Sequence, residues 1–336
     1  MNKHLNKIPN AFNGLLAVNK PVGMVSKDVS RWLTKHLGKV KLGHVGTLDP
    51  MASGVLPILF GRATRLQDYL LDSPKVYSFV CKLGSETDTM DAEGSVVRQS
   101  PWEQVSIEDL SQAALSFLGN IEQTPPVYSA VKYKGKPLYQ YAREGREDLV
   151  VLENLKRDVY VSTIDLLDYD RQSGLLTARV CCSKGTYVRV LARDIAEKAG
   201  TCGHVVKLTR EKSSGIQISN TYGLEEIEEK VDDFASILVP MEDIDIGIPR
   251  CEIKEESLEK KLLNGQTVRL EKAHFKCWTS VDAAVSNNNH DFSSSDGVLK
   301  TIHEVVLISG KSKAFGIGSA EIKSDGISIK MKRGLL

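Results

Sequence analysis

Gly43-His44-Val45-Gly46-Thr47-Leu48-Asp49-Pro50 is followed by Met51-Ala52-Ser53-Gly54-Val55-Leu56-Pro57-Ile58-Leu59-Phe60, and the two halves read differently. In the first half, glycines permit positive φ and close approach of the backbone to a ligand, while Pro50 biases Asp49 towards extended geometry and keeps it out of a helix. The second half passes from small residues into a short apolar run, the pattern of a loop feeding a buried strand. One carboxylate is thus held up beside a rigid strand, with no companion nucleophile or metal-ligand cluster in the same stretch. An Asp before a Pro is also a common turn initiator, so these residues by themselves leave a turn and a reactive group both open.

Working outward, Leu15-Leu16-Ala17-Val18 reads as a strand. Ser26 is placed to cap a helix in which Val29, Trp32, Leu33 and Leu37 recur at helical spacing, with Gly38 as its stop. A helix is expected over 63–71. Alternation over 75–83 predicts a strand with Tyr77, Phe79, Cys81 and Leu83 on one face. A helix near 107–118 precedes Pro125-Pro126, which opens a segment whose length and composition suit a substrate-gripping loop. Strands near 159–166 and 175–182, a helix over 188–199 and a strand around 205–208 follow. Strands outnumber helices without a βαβ rhythm, which points to an α+β sheet with helices at its sides. Beyond Pro240, strand-like pieces near 266–270, 304–308, 314–317 and 327–331 predict a small β domain, interrupted from Ser286 to Gly297 by a polar low-complexity insertion expected to be mobile. Gly316-Ile317-Gly318 lacks the third glycine and the βαβ setting of a dinucleotide fingerprint.

The chain of 336 residues is 41% hydrophobic and 26% charged, enough to bury a core and to divide into two domains. No apolar run approaches the roughly 18 residues of a membrane span, and the first residues lack the apolar segment of a signal peptide, so a cytoplasmic protein is expected. Six cysteines show neither zinc-site pairing nor the density of a secreted scaffold. Asp88, Asp91 and Glu93 do not have the spacing of an EF-hand loop and read as turn residues supporting the site. A net charge of +1 excludes a uniformly basic nucleic-acid binder, but the charges segregate. Lys20, Lys27, Arg31, Lys35, Lys39, Lys41, Arg62 and Arg65 flank the Asp49 loop. Lys132, Lys134, Lys136, Arg143 and Arg146 are interleaved with Tyr128, Tyr133, Tyr139 and Tyr141. Cations that neutralise phosphates, beside rings that can stack on unpaired bases, are the footprint of RNA recognition; a solvated charged face is the alternative.

The 43–57 stretch resembles the catalytic loop of the TruB family of tRNA pseudouridine synthases. Further words carry the resemblance in the family's order: Asn19-Lys20-Pro21-Val22-Gly23-Met24-Val25-Ser26; Lys75-Val76-Tyr77 with the 83–94 segment; Pro125-Pro126-Val127-Tyr128-Ser129-Ala130-Val131-Lys132; Cys182-Ser183-Lys184-Gly185-Thr186-Tyr187-Val188-Arg189; and Gly203-His204-Val205-Val206-Lys207-Leu208-Thr209-Arg210. Val25 departs from the family, standing where a hydroxyl side chain is common. The resemblance implies a mixed, mostly antiparallel sheet flanked by helices, forming a catalytic domain over 12–240 behind a disordered N-terminus (1–11). It also implies an RNA-gripping insertion near 122–150 and a small PUA-like β domain over 245–336 carrying the mobile insertion near 280–298. It assigns Asp49 as nucleophile, Arg189 as the group that orients and charge-pairs it, Tyr77 as the ring stacking on the base and a possible proton relay, and Tyr187 as a neighbour of the catalytic pair. His44 is implied to help extrude the target nucleotide, Leu208 to wall the base, Lys132 and Tyr128 to contact substrate, and Lys20 to sit beside the catalytic loop, where packing support and phosphate contact are both open.

The implied activity is isomerisation of the uridine conventionally numbered 55 in the T-arm loop of tRNA, by a monomer and without a cofactor. The chemistry is consistent with one carboxylate: the N-glycosidic bond breaks, the uracil turns in the pocket, and its C5 joins C1′, with no redox step. Whether Asp49 attacks C6, attacks C1′ or first removes a sugar proton is open at this level. A tRNA-folding chaperone acting independently of catalysis is the alternative function, and a nucleoside hydrolase releasing free uracil ranks far behind.

Overall fold

In the computed structural model of the chain, residues 12–248, 250–270, 300–309, 314–323 and 326–335 are described; the expected N-terminal tail (1–11) and polar insertion (280–298) lie outside them. In chain order the first part runs β1 (Gly14–Lys20), α1 (Ser26–Leu37), β2 (Leu42–His44), β3 (Ala52–Phe60), a 3₁₀ turn (Gly61–Leu66) continuing into α2 (Gln67–Leu71), and β4 (Lys75–Leu83). A hairpin of β5 (Ser85–Thr87) and β6 (Val96–Gln99) leads to α3 (Ile107–Leu115) and β7 (Gly119–Gln123). The hairpin β8 (Lys132–Tyr133) and β9 (Lys136–Pro137) precedes α4 (Leu138–Arg143), β10 (Arg157–Asp170), β11 (Leu175–Cys182), α5 (Val188–Lys198) and β12 (Gly203–Ser213). Then come β13 (Ile216–Gln217), α6 (Leu224–Glu229) and β14 (Val239–Pro240).

These strands form a ten-stranded sheet in the order β14-β1-β3-β12-β4-β11-β10-β7, with β2 added to β3 and β13 to β12. Every pairing in it is antiparallel except β3 with β12. The α+β expectation therefore holds, as a mixed, mostly antiparallel sheet with helices beside it. β4 alternates as its sequence requires, with Tyr77, Phe79, Cys81 and Leu83 facing a core shared with α1, α3 and α5. β3 is apolar on both sides because both are covered. Leu56, Ile58 and Phe60 join that helical core, while Leu59 packs with Ala63, Leu66 and Leu70 on the opposite face.

Three local readings are corrected. The N-cap of α1 is Val25, which offers no side-chain acceptor, and Ser26 is the first helical residue with its hydroxyl directed elsewhere. The helix expected over 63–71 is split into the 3₁₀ turn and α2. The helix begun at Ile107 stops at Leu115, with Ser106 and Asp109 forming a capping box at its start.

The C-terminal segment forms a separate five-stranded sheet in the order β15-β17-β18-β19-β16, from β15 (Arg250–Ile253), β16 (Val268–Leu270), β17 (Lys300–Ser309), β18 (Ala314–Lys323) and β19 (Gly326–Gly334), with α7 (Glu256–Leu263) against it. Val306, Ile317 and Leu335 reach into the apolar cluster containing Leu59 and Leu66, and across the junction Arg65 donates to the Gly334 carbonyl while Arg333 donates to the Arg65 carbonyl. Among the described residues, no helix is long and apolar enough to cross a membrane.

Candidate active site

The parallel pairing of β3 with β12 builds the site. Gly54 stands opposite Arg210 with φ +104°, and a Cβ there would lie 2.3 Å from the Arg210 carbonyl oxygen. Only glycine accepts both the backbone angle and the approach. The consequence is that the loop preceding β3 is carried over the side chains of β12, where Leu208 and Arg210 stand.

That loop is held from several sides. Ser26 Oγ accepts from the Leu48 N–H at 2.8 Å and donates to the Leu48 carbonyl at 3.2 Å, which is where its hydroxyl goes instead of capping α1. Arg210 Nη2 donates to the Gly46 carbonyl at 3.0 Å and its Nε to Val55 at 2.6 Å. Lys20 is wholly buried, its ammonium donating to the carbonyls of Pro21 (2.8 Å), Met24 (2.6 Å) and Pro50 (3.4 Å). Burial lowers the Lys20 pKa to about 8. Of the two readings of Lys20, the geometry answers to packing support and not to substrate contact: with no exposed surface and its donors taken up by carbonyls, it fastens the Asp49 loop.

Arg189, in the first turn of α5 and only 3% exposed, gathers three separate segments. Its Nε lies 3.0 Å from Asp49 Oδ2, an ion-pair contact that is not aligned as a hydrogen bond. Nη1 reaches Asp91 Oδ2 at 2.9 Å and the Thr89 carbonyl at 2.7 Å, and Nη2 reaches the Tyr128 carbonyl at 3.0 Å. Asp91 is further fixed by Thr89 Oγ1 (2.6 Å) and the Glu93 N–H (3.0 Å). Enclosure by protein pushes the Asp49 carboxyl above the ordinary aspartate range despite the attraction of Arg189 and, more weakly, Lys20, and the charge of Asp91 adds to the rise. The Asp49 side chain still keeps 34% of its surface open, so the group is shielded on its flanks and presented at the cleft. A carboxylate with that environment can act as nucleophile or base.

Asp49 lines a cleft of about 520 Å³ together with Tyr77, Tyr187, Arg189 and Leu208, within the range of sites that enclose small ligands. Tyr77 is buried, and desolvation pushes its phenol up against the opposing effect of the nearby Arg210 charge. Tyr187 caps α5 and exchanges hydrogen bonds with the Gln123 amide, with Arg157 stacked over its ring at 5.3 Å. Lys75, its pKa lowered to about 8 mainly by burial, donates to the carbonyls of Leu71 and Ser73.

Of the other expected residues, His44 sits on β2 outside the cleft lining, its imidazole pKa lowered by burial and then by Arg210. Lys132 is exposed on β8, also outside the lining. Tyr128 meets the site through its carbonyl on Arg189, and its ring is not part of the cleft wall. Tyr141 packs in a small core with Leu138 and Val150 and is not available for base stacking. Asp91, Arg157 and Arg210 belong to the site and were not singled out for it by the sequence beyond the reading of Asp91 as a supporting turn residue.

The chain matches the model of the TruB family pseudouridylate synthase (N terminal domain) over residues 34–188. It is 43% identical over 259 residues to the tRNA pseudouridine synthase B of Caldanaerobacter subterraneus subsp. tengcongensis, covering 77% of this chain and 87% of that protein. The corresponding Staphylococcus aureus protein is 39% identical over 262 residues, covering 76% and 85%. Among solved structures, an H/ACA ribonucleoprotein bound to a substrate RNA containing 2′-deoxyuridine has a chain that superposes with a TM-score of 0.67 at 21% identity, over 96% of this chain and 85% of that one, a likeness of fold. An Asp on a glycine-loosened loop, a buried Arg from the first turn of α5 and identity of this extent over most of the chain agree: the protein belongs to the TruB family of pseudouridine synthases.

Proposed function

We propose that the chain isomerises the uridine conventionally numbered 55, in the T-arm loop of tRNA, to pseudouridine. The observation that carries this reading is the Asp49–Arg189 contact at 3.0 Å inside a cleft of about 520 Å³. Asp49 is the nucleophile; Arg189 orients it and holds its charge. The flipped uracil lies between the Tyr77 ring and Leu208, and Tyr187 closes the wall beside the catalytic pair. Extruding a stacked nucleotide costs a few kcal/mol, which contacts at the cleft and at its rim, including His44, must offset. Phosphate contacts are read at exposed Lys132 and at the cleft-lining Arg157 and Lys184, the last of which also pairs with Asp72. Bond breaking at N1 and bond making at C5 leave the redox state unchanged, so the reaction calls for no cofactor; C5 loses its proton to solvent and N1 takes one up.

Residues 12–240 are read as the catalytic domain, with the segment near 122–150 gripping RNA, and 245–336 as a PUA-like domain. A monomer acting in the cytoplasm fits this reading. Tritium release from tRNA carrying 5-tritiated uridine tests it. The native chain releases tritium and Asp49→Asn does not; undiminished release by the variant rejects the assignment. Free uracil among the products would instead indicate a hydrolase, and tRNA refolding retained by Asp49→Asn would reveal a chaperone role separable from turnover.

A further inference from the structure

Five buried side-chain polar atoms have no hydrogen-bond partner among the described residues: Ser30 Oγ, Trp102 Nε1, Ser129 Oγ, Arg189 Nε and Ser213 Oγ. Two of the five residues, Ser129 and Arg189, line the cleft that holds Asp49, whereas Ser30, Trp102 and Ser213 do not. A buried hydroxyl left without a partner costs free energy unless something that binds there completes it.

Ser129 is 5% exposed, and its backbone is firmly placed: its N–H donates to the Val127 carbonyl at 2.9 Å and its carbonyl accepts from Tyr139 N–H at 3.1 Å. The preceding residue, Tyr128, is gripped through its carbonyl by Arg189 Nη2 at 3.0 Å. The hydroxyl is therefore tied to the Arg189 side of the cleft. The base-facing surfaces, Tyr77 and Leu208, are supplied by the sheet, from β4 and β12.

We infer that Ser129 is a substrate-binding residue whose hydroxyl hydrogen-bonds the ribose 2′-hydroxyl of the target nucleotide. The inference rests on the uridine isomerisation proposed above. Whether Asp49 bonds to C1′ or to C6, the glycosidic bond must lie beside its carboxylate, and the 2′-hydroxyl is on the carbon next to C1′. A serine hydroxyl both donates and accepts, so it can complete a ribose hydroxyl in either sense. Arg189 Nε, donor only and already in contact with Asp49, stays with the carboxylate.

Ser129→Ala separates this role from a structural one, because it removes an atom that holds nothing in the protein. Its thermal midpoint is expected to equal or exceed that of the native chain. With a T-arm stem-loop RNA carrying 5-tritiated uridine, single-turnover kcat/KM is expected to fall about five- to tenfold, the scale of one hydrogen bond between neutral groups. With the same RNA carrying 2′-deoxyuridine at the target position, the native and Ser129→Ala proteins should agree within twofold, in tritium release or, if neither turns over, in dissociation constant by filter binding. An unchanged kcat/KM on the ribose substrate overturns the proposal, as does a five- to tenfold gap that persists on the 2′-deoxy substrate. Absence of tritium release from the native chain on the ribose substrate would reject the isomerisation itself, a different result from either.

Discussion

Arg189 contacts both Asp49, at 3.0 Å, and Asp91, at 2.9 Å, so one guanidinium serves an acid open to the cleft and another that is sealed beneath it. The sealed partner anchors the fork, and the anchored fork aims the open one. Arg189→Lys keeps the charge but loses the planar fork that reaches Asp49, Asp91 and the Tyr128 carbonyl together. Single-turnover tritium release is expected to drop by on the order of 100-fold, the scale set by a misplaced reacting group. Arg189→Met leaves buried Asp91 without its countercharge and should cost about 3–5 kcal/mol in urea denaturation.

Asp49→Asn should lose activity without losing stability. The carboxyl's folded-state pKa lies above its unfolded value near 4, so the folded state binds the extra proton between the two values, and ionised Asp49 opposes folding at neutral pH. The variant is therefore expected to be at least as stable as the native chain at pH 7, and its advantage to shrink as pH falls towards about 4. Denaturation at a series of pH values checks this; an advantage that grows on acidification would show the sign to be wrong. In the native enzyme the acid limb of the rate profile should lie above the range of an ordinary aspartate.

Lys20 and Lys132 should behave as opposites in salt. Lys132→Ala is expected to reduce the slope of log affinity against log salt for tRNA by about one, as loss of a phosphate contact does. Lys20→Met should leave that slope unchanged while lowering turnover, because its ammonium holds the Pro50 carbonyl and has no surface to offer RNA. Filter binding from 50 to 300 mM salt, roughly the span over which counterion release dominates, distinguishes them.

Gly54→Ala tests the joint between β3 and β12. The new methyl would meet the Arg210 backbone at 2.3 Å and be forced to a φ of +104°, so a loss of roughly 3 kcal/mol or more is expected by chemical denaturation, with activity falling in the fraction that folds.

Much of this fold is local and therefore legible in sequence. The strand Leu175–Cys182 was expected at its observed ends, and the alternation in Lys75–Leu83 gave the buried face of β4. Gly38 marked the end of α1. What escaped is non-local. Ser26 sits where a capping residue belongs, and nothing in its neighbourhood indicates that its hydroxyl will serve Leu48, 22 residues away. The strand expected around 205–208 extends to Ser213, and only that extension places Arg210 beneath Gly46. Asp49 and Arg189 were linked by the family pattern, since charge and periodicity say nothing about which of many arginines will meet a given carboxylate. Sequence leaves Lys20 between loop support and phosphate contact, because a lysine is ordinarily solvated and its burial depends on three carbonyls converging in space.

The parallel β3–β12 pairing also sets a timetable for synthesis. It brings Ser53 against Thr209, 156 residues later in the chain, and nothing earlier can substitute for β12 as the floor beneath the Asp49 loop. A ribosome-bound fragment that has emerged only through β10 carries Asp49 but neither Arg189, which contacts it in the folded chain, nor the strand beneath its loop. Such contacts between distant segments form late and slowly. The Asp49–Arg189 contact and the strand beneath it can therefore come together only when nearly two thirds of the polypeptide has been made.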